Sequence, residues 1–180
     1  MKKKMNKMTI TVDGGDEKKE IQNSFCDLIG KGEYKEGDRT SFSGGVTLKG
    51  KESYSFNRIG VGISALIKNE KDIKKVEDVV NGLLEREARE YIAGKKGKTV
   101  KLEDVSEIIK PINGMESRSL YFSCGATIPM GNYQARKFDV SLNVYIDDKE
   151  DFSEVFEKIK EKVTEGYVQQ RKLLLKAKNE

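Results

Sequence analysis

Residues 122–146 read FSCGATIPMGNYQARKFDVSLNVYI, and residues 42–67 read FSGGVTLKGKESYSFNRIGVGISALI. The two stretches can be laid over one another. Phe42 and Ser43 match Phe122 and Ser123, Gly45 matches Gly125 and Thr47 matches Thr127, all at a spacing of 80. Beyond the loop the spacing becomes 79, with Tyr54 on Tyr133, Arg58 on Lys137, Val61 on Val140 and Ile67 on Ile146. A one-residue difference in a connecting loop costs little, because a loop carries no packing register. Each stretch then runs into an amphipathic segment. The chain therefore reads as a tandem duplication of a strand–loop–strand–helix unit.

Inside each unit the side chains alternate. Phe42, Gly44, Val46 and Leu48 share one parity; Ile59, Val61, Ile63, Ala65 and Ile67 oppose Gly60, Gly62 and Ser64. In the second unit Leu120, Phe122, Cys124, Ala126 and Ile128 oppose Tyr121, Ser123, Gly125 and Thr127. Phe138, Val140, Leu142, Val144 and Ile146 likewise oppose Lys137, Asp139, Ser141, Asn143 and Tyr145. A period of two marks a sheet packed on one face. Helical stripes follow. Ile73, Val76, Val80, Leu83 and Leu84 form one that passes Gly82 and stops at Gly94, and Phe152, Val155, Phe156, Ile159 and Val163 form the other. Asp147-Asp148 supplies the expected N-cap of the second helix. The expected fold is α+β: one antiparallel sheet of four long strands, two helices on one face, and a pseudo-twofold axis between the halves.

Residues 1–40 are expected to hold a basic arm (1–7), a short strand over 8–12, a turn at Asp13-Gly14-Gly15-Asp16 and a short helix within 17–32. The first unit spans 41–94. Residues 95–117 form a connector with a short strand over 99–102 and a helical turn from 102. The second unit and a basic tail, ending as helix or frayed coil, occupy 118–180, all in one compact domain.

With 34 basic and 30 acidic residues the net charge is +4, which permits a polyanionic partner without requiring one. There is no histidine, which removes the commonest general base and metal ligand together. Cys26 and Cys124 cannot form a metal cage alone, and Cys124 takes an inward strand position suited to a small buried apolar residue. Lys95, Lys96, Lys98 and Lys101 lie in or beside GKKGKT, which has two residues between its glycines where a P-loop needs four. No enzyme, metal or cofactor is expected. No apolar run approaches membrane-span length and no signal peptide is read, so a cytoplasmic location is expected, away from membranes.

The residues that the hairpins share outside their core positions point to a partner. The first offers Lys49, Lys51, Tyr54, Phe56 and Arg58; the second offers Tyr133, Arg136 and Lys137, with Arg118 and Tyr121 at its start. Rings interleaved with cations suit single-stranded nucleic acid, because rings stack on bases at roughly 1–3 kcal/mol each and cations follow the phosphates. Asp139, on the outer parity, is expected to make a cross-strand salt bridge. The rival reading is a protein-interaction or self-assembling module with no nucleic-acid binding, in which the same residues cover a sheet edge or meet another subunit.

The block G-x-T-I-x-x-G-N-Y-x-x-R-K-F-x-V over residues 125–140 resembles small proteins of phages and related mobile elements, some of them single-stranded DNA-binding proteins of replication modules. The resemblance covers mainly residues 122–146. It implies DNA contacts at Tyr133 and Arg136, single-stranded DNA as partner with RNA as the alternative, and a homo-oligomer. The first copy lacks Gly-Asn before Tyr54 and has Asn57 where Arg136 stands, which puts a matching first site in doubt. The arrangement is also broadly similar to the transcription-cofactor-like and plant Whirly folds that bind single-stranded DNA.

Overall fold

A computed structural model describes residues 7–10, 19–22, 36–50 and 53–179. Strands β1 (Lys7–Ile10) and β2 (Lys19–Gln22) pair antiparallel, with Lys7 opposite Gln22 and Ile10 opposite Lys19. A helix within 17–32 is therefore wrong over 19–22. Over these four residues pairing with β1 overrides the helical spacing that Ile21 opens, and the expected turn at Asp13-Gly14-Gly15-Asp16 lies outside the described residues. The rest of that expected helix, and residues 1–6 of the arm, lie outside the described residues.

The main sheet contains β3 (Arg39–Lys49), β4 (Phe56–Leu66), β5 (Arg118–Gly131) and β6 (Gln134–Ile146), in that order and all antiparallel. Helix α1 (Glu70–Lys95) packs on β3 and β4, and α3 (Phe152–Asn179) packs on β5 and β6. The α+β architecture and the antiparallel sheet are as expected. The pseudo-twofold axis is not. In a plain meander β3 and β5 run parallel with β4 between them, so the two hairpins are related by a translation across the sheet. A twofold would need equivalent strands to meet at the centre, whereas here β4 meets β5.

Both helices lie on the face made by Val46, Leu48, Ile59, Val61, Ile63, Leu120 and Phe122, all buried. The Phe122 ring meets Phe156 of α3 edge-on, with centroids 5.7 Å apart. Burying such a ring contributes about 2–3 kcal/mol. Five-residue helix α2 (Val105–Ile109), capped by Asp104, and a 3-10 turn (Lys110–Ile112) close the core from below α1. Gly82 makes this closure possible: a Cβ there would lie 2.9 Å from the Ile108 side chain. Residues 99–102 form no strand, and the helical turn begins at Val105 because the Asp104 carboxylate caps it.

Helix α1 starts with a capping box of Asn69 and Asp72. Helix α3 is capped by Asp151, whose carboxylate accepts from the Ser153 and Glu154 amides, and not by Asp147-Asp148. Asp147 and Glu150 close a turn of their own, with the Glu150 amide on the Asp147 carbonyl and the Asp147 amide on the Glu150 carboxylate, which delays the helix. Residues 168–179 continue α3 as helix.

Candidate nucleic-acid interface

On the face of the sheet turned away from α1 and α3, Ser41, Ser43, Thr47, Lys49, Phe56 and Tyr145 are exposed. The rows of this face can be read across all four strands. The row nearest the hairpin tips is Lys49, Phe56, Thr127 and Lys137. Next come Thr47, Arg58, Gly125 and Asp139, then Gly45, Gly60, Ser123 and Ser141. Beyond these lie Ser43, Gly62, Tyr121 and Asn143, and finally Ser41, Ser64, Ser119 and Tyr145. Phe56 and Tyr145 are exposed and Tyr121 is half-buried beside Gly60 and Gly62. The result is a shallow floor of glycine and serine with rings standing on it, and a depression of about 340 Å³ between Thr47, Gly60 and Tyr121.

Both hairpins turn at the same end of the sheet. The β5–β6 turn has two central residues, Asn132 and Tyr133, with φ of 48° and 61°. Positive φ at both is the type I′ geometry, which suits Asn but penalises a bulky residue in the second place, where glycine is favoured. Tyr54 in the first hairpin has φ 58°. These two matched tyrosines share a strained backbone and project into solvent, 81% and 112% exposed.

The helices end here too. Lys95 Nζ donates to the Lys49 carbonyl at 3.2 Å, which brings the end of α1, with Lys96 and Lys98 beyond it, to the tips. Tyr167 of α3 packs on Phe138 at 5.4 Å and donates to Asn57 Oδ1, while Asn57 donates to Tyr91 of α1. Arg171 binds the Tyr167 hydroxyl at 3.0 Å, and Lys172, Lys176 and Lys178 of the last turns of α3 continue past it. Cations at helix C-termini also complement the dipole. Residues 166–179 contain no acidic side chain, whereas Glu70, Asp72, Asp147, Asp148, Glu150 and Asp151 lie at the opposite end, where the helices begin. The tips are basic, while the opposite end carries both signs, with Arg39, Lys68, Lys71 and Lys149 among its carboxylates.

Not every expected contact residue belongs to this surface. Lys49, Tyr54, Phe56, Tyr121, Tyr133 and Lys137 lie on the outer face or at the tips. Arg136 is exposed but pairs with Ile128, so it sits on the helix side of β6. Lys51 lies outside the described residues. Two guanidinium groups are structural. Arg118 is only 4% exposed; it donates to the Asp147 carbonyl and lies 6.0 Å from the Phe152 ring centroid, with Nε unpartnered. Its place on the inward parity of β5, opposite Ile146, was legible but overlooked.

Arg58 is the second. Nε and Nη2 grip the two Asp139 carboxylate oxygens at 3.0 and 3.1 Å, and Nη1 donates to Thr127 Oγ1 at 3.0 Å. Nη2 also reaches the carbonyls of Ala126 and Phe138. A bidentate pair with further acceptors is a strong, directional arrangement, and a phosphate would have to displace it. Arg58 is thus a tie across β4, β5 and β6, and Asp139 makes the cross-strand salt bridge expected of it. Gly125 lies beneath: a Cβ there would fall 1.9 Å from an Asp139 oxygen. Tyr145 was missed, although its outer parity and its ring gave the signal.

On the helix side, Arg86 and Glu87 of α1 meet Glu157 and Lys160 of α3, with Lys160 Nζ 2.9 Å from Glu87. Burial raises the Glu87 pKa against the pull of Lys160. Burial also works against the Lys160 ammonium, but Glu87 and Glu90 outweigh it and raise its pKa. Cys124 lies beside this cluster, and burial pushes its thiol up to about 12. Among the described residues no group of three acidic or cysteine side chains is placed to hold a metal ion, and no helix is long and apolar enough to cross a membrane. Comparison with family models, characterised proteins and solved structures finds no match to this chain.

Proposed function

We propose that this chain is a non-catalytic binding protein for single-stranded DNA, which it takes up on the outer sheet face and the basic hairpin tips. The observation that carries the reading is the pair Tyr54 and Tyr133. Each holds a bulky ring at positive φ with almost no contact to the rest of the chain. Such a placement costs stability and adds none, and that is expected where a side chain is kept for a partner. Bases stack on Tyr54, Tyr133, Phe56, Tyr121 and Tyr145, while Lys49, Lys137, Lys95, Lys96 and Lys172 follow the phosphates. Arg58 and Arg118 take no part.

The resemblance of residues 125–140 to phage and mobile-element proteins supports a role in replication in such an element, in the cytoplasm of its host. The duplication is supported by the register. Phe42 faces Ile63 as Phe122 faces Leu142, and Gly45 faces Gly60 as Gly125 faces Asp139, so residues matched by the 80 and 79 offsets occupy matched places.

A salt titration against a fluorescent oligonucleotide tests the reading. The logarithm of affinity should fall linearly with the logarithm of salt concentration, by about 0.7 per phosphate contacted. Single-stranded DNA should be bound more tightly than duplex, and an RNA arm measures the preference between the two single strands. Equal binding to duplex, or no dependence on salt, would refute it. The self-assembly reading keeps one observation of its own, the open edge of β6.

A further inference from the structure

We propose that β6 is a homodimerisation edge, at which two copies join antiparallel about a twofold axis through Leu142 to make one continuous eight-stranded sheet. β6 is the last strand of the sheet, and among the described residues no strand pairs with its outer side. The other edge is not equally open, because β2 lies against β3. An edge strand of 13 residues is long, and proteins usually blunt one with proline, a bulge or inward charge. Residues 134–146 contain no proline, and the register shift of this hairpin falls before them, between Pro129 and Gly131. The half from Val140 onward is uncharged, and Leu142 on the helix side is 40% exposed where α3 leaves β6 partly bare.

Charge and the pairing of the uncharged half of β6 together select the register. Pairing must keep helix-side residues opposite helix-side residues, which restricts the axis to one residue position at a time. With Leu142 on the axis, Val140 faces Val144 of the second copy and Phe138 faces Ile146. Just past the end of β6 the same register brings Lys137 to Asp147 and Arg136 to Asp148, in the turn that follows the strand, twice over by symmetry. Moving the axis to Asn143 would set Asp139 against Asp147 and Lys137 against Lys149, two repulsions against the one attraction of Arg136 with Glu150. Moving it to Ser141 sets Lys137 against Tyr145 and forfeits both ion pairs. The basic tip end of one copy lies along Asp147 and Asp148 of the other. All four long helices fall on one face, and the outer floor runs uninterrupted across both copies. The inference does not depend on DNA binding.

Sedimentation or light scattering of the full chain tests it without nucleic acid. At about 100 µM, above the micromolar Kd of weak specific interfaces, the mass should be twice 20.3 kDa. Arg136→Glu with Lys137→Glu should return it to monomer, and adding Asp147→Lys with Asp148→Lys should restore the dimer. In a Cys26→Ser, Cys124→Ala background, which removes the thiol opposite Val140, Leu142→Cys should give a disulfide-linked dimer under mild oxidation and Val140→Cys should not. A monomer at all concentrations, a dimer indifferent to the charge reversal, or cross-linking at Val140 in place of Leu142 would overturn the proposal.

Discussion

Replacing Tyr133 by glycine should make the protein more stable and a poorer binder at once. At φ 61° the Tyr133 backbone carries a penalty of roughly 1–2 kcal/mol that glycine does not. Glycine gives back roughly 0.5–1 kcal/mol through the larger entropy of its unfolded chain. The ring is fully exposed, so its removal forfeits no burial. The net expectation is a gain of about 0.5–1 kcal/mol, or an increase in Tm of roughly 1–4 °C for a domain of this length. The same substitution removes a stacking partner worth roughly 1–3 kcal/mol, so affinity for an oligonucleotide should drop about 5- to 150-fold. Calorimetry and fluorescence anisotropy on one preparation read both numbers. Tyr133→Phe, which keeps the ring and the strain, should change neither appreciably. A fall in Tm would show that the ring has a structural task, and undiminished affinity would show that it does not touch DNA.

Three further outcomes follow from the described contacts. Arg58→Ala should cost about 2 kcal/mol by orphaning Asp139 and the strand carbonyls, and a thermal melt should show Arg58→Lys recovering only part of it; an unchanged Tm would mean that the group is free for phosphate after all. Asp72→Asn should cost about 1 kcal/mol at neutral pH. The hydrogen bond from Lys75 and the amides of Lys68 and Asn69 hold the Asp72 carboxyl below its ordinary 3.8, so this stability is present above that value and lost as the pH falls through the lowered one. Denaturant midpoints of the two proteins should therefore converge in acid, and a gap that widens would contradict the cap. In a Cys26→Ser background, Cys124 should resist a thiol reagent at pH 8 until denaturant is added, and rapid labelling of the native protein would contradict a thiol raised to about 12.

Alternation was enough to assign the four long strands, because period two over ten or more residues has no helical counterpart, and the stripes assigned both long helices. Strand order was not legible in the same way. A hairpin declares its own register through its turn, but nothing local in Ile59 or Phe122 says which strand lies alongside. At the candidate site the tip tyrosines were legible because a loop carries a ring only at a cost. The arginines were misjudged because charge alone does not reveal a partner: the carboxylate that Arg58 grips is 81 residues away. The short strand β2 was lost to a helical spacing, since four residues hold too few periods to decide.

The meander also sets an order of assembly. The β3–β4 pairing closes a loop of about six residues and β5–β6 a turn of two, while β4–β5 must bring together strands separated by about fifty. Closing the longer loop costs about 2 kcal/mol more than the six-residue one, so each hairpin can zip early and the central seam waits. Arg58 reaches over that seam to strands on its far side, so substitutions there should appear mainly in the unfolding limb of a chevron plot, whereas those that weaken a hairpin should appear in the folding limb.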